Sequence, residues 1–124
     1  MRRQDLNDRT REFALRIIRL VSSLPKDRVA DVVGRQILRS GTSIGANYRE
    51  ATRATTKRHF ASILATALRE ADETLYWLEL VRDAKLVRVE LLRNLISECD
   101  QLVAILASSV KTAANRNKRR DSDS

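Results

Sequence analysis

Apolar residues recur three and four positions apart along almost the whole chain, and almost nothing interrupts them. Only Pro25 and three glycines (Gly34, Gly41, Gly45) occur in 124 residues. A β sandwich needs turn residues about every 8–12 positions, and this chain does not have them. The spacing is helical. Leu6, Phe13, Ile17 and Leu20 form one stripe over a helix predicted at about residues 5–23. Pro25 ends it, and Asp27 is placed to accept the free N–H groups of the next helix.

The second helix is predicted over about 27–54, with Val29, Val33, Ile37, Ser40, Ile44, Tyr48 and Ala51 on one side. Its three glycines each cost about 1 kcal/mol against alanine in a helix interior. They imply a close helix–helix approach or a kink near Ser40–Ser43; one long helix is the preferred reading. Thr55 and Thr56 are potential caps for a third helix at about 57–84. That helix has two adjacent stripes, one through Phe60, Leu64, Ala67, Ala71, Leu75 and Leu78, the other through Ile63, Ala67, Thr74, Trp77 and Val81. The fourth, at about 89–113, repeats through Leu92, Leu95, Cys99, Leu102, Leu106 and Val110.

Short connections between four amphipathic helices predict an all-α fold, an up-down-up-down antiparallel four-helix bundle over residues 1–114. Residues 115–124 are polar and charged and are expected to form a disordered tail. Leu15, Ile18, Tyr76, Leu80, Leu91 and Ile105 are apolar beyond the main stripes. They are either scattered surface residues, which are normal, or a subunit interface, which is the preferred reading.

No run approaches the roughly 20 apolar residues of a membrane span, and no apolar stretch of signal-peptide type follows Met1–Asp5. Cys99 is the lone cysteine. This excludes a disulfide scaffold and fits a reducing, cytoplasmic setting; its helix face predicts a buried, inert thiol.

Charge is unevenly divided. Residues 1–60 hold 14 Lys/Arg and 6 Asp/Glu, a net +8; residues 61–124 hold 10 of each. Arginine outnumbers lysine 19 to 5, and its planar fork suits phosphate and carboxylate alike. Arg35, Arg39, Arg49, Arg53, Lys57 and Arg58 are candidate nucleic-acid contacts. The competing reading pairs several of these arginines with Glu50, Asp31, Glu70 or Glu73. No RNA-binding or helix-turn-helix pattern accompanies the charge.

Catalytic chemistry has little to stand on. His59 is the only histidine, so the paired Glu-x-x-His motifs of a di-iron bundle are missing. Glu70 and Glu73 share a helical face and could hold a metal, but ion pairing with arginine is the preferred reading. Ser40, Ser43, His59 and Asp72 make no nucleophile arrangement. No catalytic residue, cofactor or metal is expected, and the chain is not read as an enzyme. Asn47, Glu50, Glu70, Glu73 and Thr74 form a polar cluster near Trp77. If Glu70 faces inward, Asn47, Arg39 or Thr74 would supply its donors, in a network fixing helix register or holding subunits together; the alternative is a binding pocket.

Two stretches carry a resemblance. Arg39-Ser-Gly-Thr-Ser-Ile-Gly-Ala-Asn-Tyr-Arg-Glu-Ala51 and Ala67-Leu-Arg-Glu-Ala-Asp-Glu-Thr-Leu-Tyr-Trp-Leu-Glu-Leu80 resemble the small bacterial four-helix bundle proteins linked to intervening sequences of 23S ribosomal RNA. The similarity is clear over about residues 36–82. It implies a left-handed bundle and ring-shaped homopentamers, in a family with no established catalytic activity. A distant relative is the accessory protein of diversity-generating retroelements, a basic pentamer that binds nucleic acid and a reverse transcriptase. Asn47, Glu50, Glu70, Glu73, Thr74 and Trp77 carry over as motif and structural positions, not as an active site. The expected role is a cytoplasmic, non-enzymatic oligomer that binds structured RNA or a ribonucleoprotein through its basic face; the alternative is a protein–protein adaptor that binds no nucleic acid.

Overall fold

The computed structural model describes residues 2–123, with the side chains of residues 2–119. Four helices form: α1 (Arg3–Ser22), α2 (Arg28–Thr52), α3 (Lys57–Asp83) and α4 (Arg93–Asp123), with a single 3-10 turn at Val89–Leu91 before α4. No strand occurs among the described residues. The helices pack as a bundle, α2 against α1 and α3, and α4 against α3 and more thinly against α1.

Two helix starts are set by side chains. The Asp27 carboxylate accepts the Ala30 N–H at 2.9 Å, and the Thr56 hydroxyl accepts the His59 N–H at 3.1 Å. Each satisfies a donor the helix itself cannot.

α2 is one unbroken helix, so its glycines serve close approach. A Cβ on Gly41 would lie 2.8 Å from Ile17 Cγ1, one on Gly45 3.2 Å from Thr10 Oγ1, and one on Gly34 3.0 Å from Leu24 Cδ1. Thr10, fully buried at this seam, donates its hydroxyl back to the Leu6 carbonyl at 2.8 Å. That bond spares the packed surface an unsatisfied polar atom. Small residues act similarly between α3 and α4. Ala67, Ala71 and Cys99 are buried, and Cys99 Sγ lies 3.4 Å from the Ala71 carbonyl.

The predicted stripes line the core: Phe13, Ile17, Ile37, Ile44, Leu64, Leu78, Leu92, Leu102 and Leu106 are all sealed from solvent. Val29 is the exception. It is 58% exposed, and its neighbour Ala30 takes the core position, because the inward line of α2 runs through Ala30, Gly34, Ile37, Gly41 and Ile44 and Val29 lies about 100° round the helix from Ala30.

The end of α3 is also distinctive. Lys85 has φ +56°, its N–H reaches the Arg82 carbonyl, and the Leu86 N–H reaches the Val81 carbonyl, both at 3.1 Å. This is a Schellman cap with lysine where glycine is usual. The 3-10 turn then delays α4 to Arg93. At the other end α4 runs on past 113 to Asp123, where the sequence predicted a tail; Ser124 lies outside the described residues.

Candidate nucleic-acid interface and an ion-paired seam

The solvent side of α2 collects its arginines. At 100° per residue, Arg28, Arg35, Arg39, Arg49 and Arg53 fall within an arc of about 80°, spread over about 37 Å of helix. All five are exposed. Lys57 and Arg58, also exposed, extend the charge into the first turn of α3. Arg49 and Arg53 border a shallow groove shared with Glu50 and His59. Among the described residues, Arg28, Arg35, Arg49 and Arg53 have no ion pair, so their guanidinium groups face solvent.

Arg39 differs from its neighbours. Its guanidinium lies 2.6 Å from Glu73 Oε1 and 3.6 Å from Glu70 Oε2. The hydrogen bond from Arg39 holds the Glu73 carboxyl below its ordinary range against the opposing effect of burial; a weaker bond from Trp77 acts in the same sense. Trp77 Nε1 donates to Glu73 Oε1 at 3.3 Å, and its half-buried ring meets Tyr76 edge to face at 5.3 Å between centroids. Below them Thr74 Oγ1 lies 2.9 Å from Ser40 Oγ and 2.6 Å from the Glu70 carbonyl, while the Ser40 hydroxyl reaches the Gln36 carbonyl at 2.9 Å. Two hydroxyl protons therefore serve three close contacts. The seam joins α2 to α3 and places two carboxylates and one guanidinium in the middle of the arginine stripe.

Of the family-motif positions, the fold brings together Glu70, Glu73, Thr74 and Trp77 and leaves Asn47 and Glu50 apart. The Asn47 amide donates to the Ser43 carbonyl at 2.8 Å, so it is not a donor to Glu70; it lies on α2 almost two turns from Ser40, out of reach. Thr74 meets the Glu70 carbonyl, not its carboxylate. Glu70 Oε2 is buried without a hydrogen-bond partner, since 3.6 Å from Arg39 is an ion-pair distance only. Glu50 is exposed at the groove. No group of three His, Cys, Asp or Glu among the described residues could hold a metal ion.

A second clamp left no trace in the sequence pattern. Arg9 on α1 grips Glu98 on α4 with both arms, at 2.7 and 2.6 Å, and also donates to Gln101 at 2.7 Å. A bidentate pair is directional as well as strong. The partners are 89 residues apart, so no local spacing could have flagged them.

Of the residues predicted apolar beyond the stripes, Ile18, Tyr76, Leu80 and Leu91 are exposed, and Val29 and Val32 join them; Leu15 and Ile105 are half-buried. No helix among the described residues is long and apolar enough to cross a membrane.

These features define a class: a small, basic, all-helical bundle with an arginine-lined outer helix. The model of the 23S rRNA-intervening sequence protein family matches residues 2–108, and the chain belongs to that family. It is also similar to a crystal structure of a protein of unknown function from the S23 ribosomal protein family of Bacteroides thetaiotaomicron VPI-5482. Identity is 39%, the TM-score is 0.82, and the match covers 90% of this chain and 99% of that one. No protein of curated function matches the chain.

Proposed function

We propose that this chain has a binding role, not a catalytic one: a cytoplasmic bundle that engages structured RNA, alone or in a ribonucleoprotein, through the outer face of α2. The observation that carries this reading is the row of solvent-facing arginines, with Arg35, Arg49 and Arg53 at its centre and Lys57 and Arg58 at its end. Polyanions bind such faces with release of condensed counterions. Arg39, tied to Glu70 and Glu73 between Arg35 and Arg49, is set apart from the free arginines of the row. The family's link to ribosomal RNA insertions makes RNA the natural polyanion. The same proposal includes an up-down-up-down, left-handed bundle assembled into a ring-shaped homo-oligomer.

The test is binding of a 23S rRNA hairpin by fluorescence anisotropy across a salt series, with Arg49→Glu/Arg53→Glu compared with wild type. Loss of two phosphate contacts should lower the slope of log K against log salt by about 2, with the thermal melt unchanged. Equal affinity and equal slope would remove these side chains from the interface. A protein adaptor is the second reading, favoured by exposed Val29, Val32, Tyr76 and Leu80. A partner that stays bound through nuclease and high salt would select it.

A further inference from the structure

At the end of the bundle where α2 gives way to α3, a cavity of about 520 Å³ opens between Arg3, Tyr48, Lys57, Phe60 and Arg116. Its charge is one-sided. Three cations from three helices line it, and no carboxylate of the described residues does. Arg3 stacks its guanidinium over Phe60, 4.9 Å from the ring centroid. Among the described residues, neither Lys57 nor Arg116 has an ion pair. The first turn of α3 also faces this corner, and helix N-termini attract anions; the nearby C-terminus of α2 offsets part of that field.

Tyr48 is the second, independent feature. The residue is 5% exposed and lines the cavity, yet its phenol has no hydrogen-bond partner among the described residues. Burial raises the phenol's pKa, and the charge of Arg3, which lines the same cavity, acts in the opposite sense. The Tyr48 ring is buried while its hydroxyl is open to the cavity, where it can donate a hydrogen bond to an entering anion. Ser108 and Thr112 also line the cavity, the Thr112 hydroxyl donating to the Ser108 carbonyl at 3.0 Å, and Leu64 supplies an apolar wall.

We infer that this cavity is a site for a phosphate monoester carrying a nucleoside, with the phosphate between Arg3, Lys57, Arg116 and the Tyr48 hydroxyl and the ring against the apolar wall. Three cations without a carboxylate select an anion. A volume well above that of bare phosphate, lined partly by Phe60 and Leu64, selects one with an apolar body. The phosphate comes from a free mononucleotide or from the phosphorylated 5′ end of an RNA strand. The cavity adjoins the groove of Arg49 and Arg53 and shares Lys57 with the interface proposed above, but neither Arg49 nor Arg53 lines it, so substitutions at Tyr48 and Arg116 test it separately.

The experiment is calorimetric titration of the full chain with AMP, adenosine, and a hexaribonucleotide with and without a 5′-phosphate. Tyr48→Phe, Arg116→Gln and Arg49→Glu/Arg53→Glu are titrated alongside. AMP or the phosphorylated hexamer should saturate the protein, and loss of the phosphate should weaken binding at least about tenfold. Tyr48→Phe and Arg116→Gln should each weaken it about tenfold. The Arg49→Glu/Arg53→Glu protein should bind AMP as wild type does. A phosphorylated hexamer that binds much more tightly than AMP assigns the site to RNA ends; equal affinities assign it to free nucleotides. Absence of saturable binding by either up to about 10 mM, or binding that both Tyr48→Phe and Arg116→Gln leave intact, overturns the inference.

Discussion

Replacing Gly41 with alanine sets two effects of known size against each other. Alanine in a helix interior is worth about 1 kcal/mol over glycine. Against this, the new Cβ would stand 2.8 Å from Ile17 Cγ1, 2.9 Å from Cγ2 and 3.3 Å from Cβ. Ile17 is fully buried, and a β-branched side chain in a helix has essentially one χ1 well. It cannot swing aside, so α1 and α2 must separate. Overpacking of this kind costs about 1–3 kcal/mol, which leaves Gly41→Ala destabilised by up to about 2 kcal/mol. Gly34→Ala is the internal control. Its closest contact is Leu24 Cδ1 at 3.0 Å, the tip of a half-buried side chain in the α1–α2 connection. Leu24 can rotate away, so most of the helix-propensity gain survives and Gly34→Ala should be stabilised by about 0.5–1 kcal/mol. Urea unfolding followed by circular dichroism, with all proteins at one concentration, would separate the pair by about 0.5–3 kcal/mol. Gly41→Ala unfolding at the same urea concentration as Gly34→Ala, or higher, would refute the claim that close approach explains the glycine. Ile17→Val in the Gly41→Ala background should recover part of the loss, through coupling that distant residues would not show.

Other outcomes follow from the caps and the titrating groups. Lys85→Gly should stabilise the protein by about 0.5–1 kcal/mol, because Lys85 occupies the left-handed region that glycine enters freely; an unchanged or lower urea midpoint would contradict that geometry. Glu73 has its folded pKa below its ordinary value of 4.5, so its contribution is complete above the unfolded pKa and is lost as pH falls through the folded one. Stability of wild type and Glu73→Gln should therefore converge as pH drops below about 4, and a constant difference down to acid pH would show that the Arg39 contact does not act through charge. The Cys99 thiol is pushed up to about 12, by burial first and then by the carboxylates around it. A disulfide reagent at pH 8 should react with it only on the timescale of unfolding, and prompt reaction in the native state would place the thiol at the surface.

Local pattern explains what could be read in advance. Asp27 and Thr56 are caps because a short polar side chain precedes a periodic run, and both effects act within four residues. The core stripes follow from helical periodicity alone, since each buried position is three or four from the next. Legibility ends where geometry is set by two chains of backbone at once. Val29 continues a heptad-like spacing in sequence, but the packed line of α2 runs through Ala30 and Gly34 instead, a phase that the partner helices set. Arg39 reads equally well as a phosphate contact and as an ion-pair partner; only the register of α2 against α3, fixed by Ser40 meeting Thr74, decides that it faces Glu73. The Arg9–Glu98 clamp and the cavity around Tyr48 join residues far apart in sequence. The left-handed turn at Lys85 carries no glycine to announce it.

The division of charge between the two halves of the chain has a consequence for how the molecule moves before it touches anything. Since α1 and α2 pack together and α3 and α4 pack together, most of the excess, the 12 Lys/Arg against 6 Asp/Glu of residues 1–56, lies to one side of a low-dielectric body. The bundle therefore has an electric moment across its width as well as the smaller backbone moments along its helices. A polyanion exerts a torque on such a body at separations of about a Debye length, ~8 Å at physiological ionic strength. Towards a polyanion the bundle would turn α1 and α2 forward and its less charged side away, so its orientation would be selected in the encounter itself.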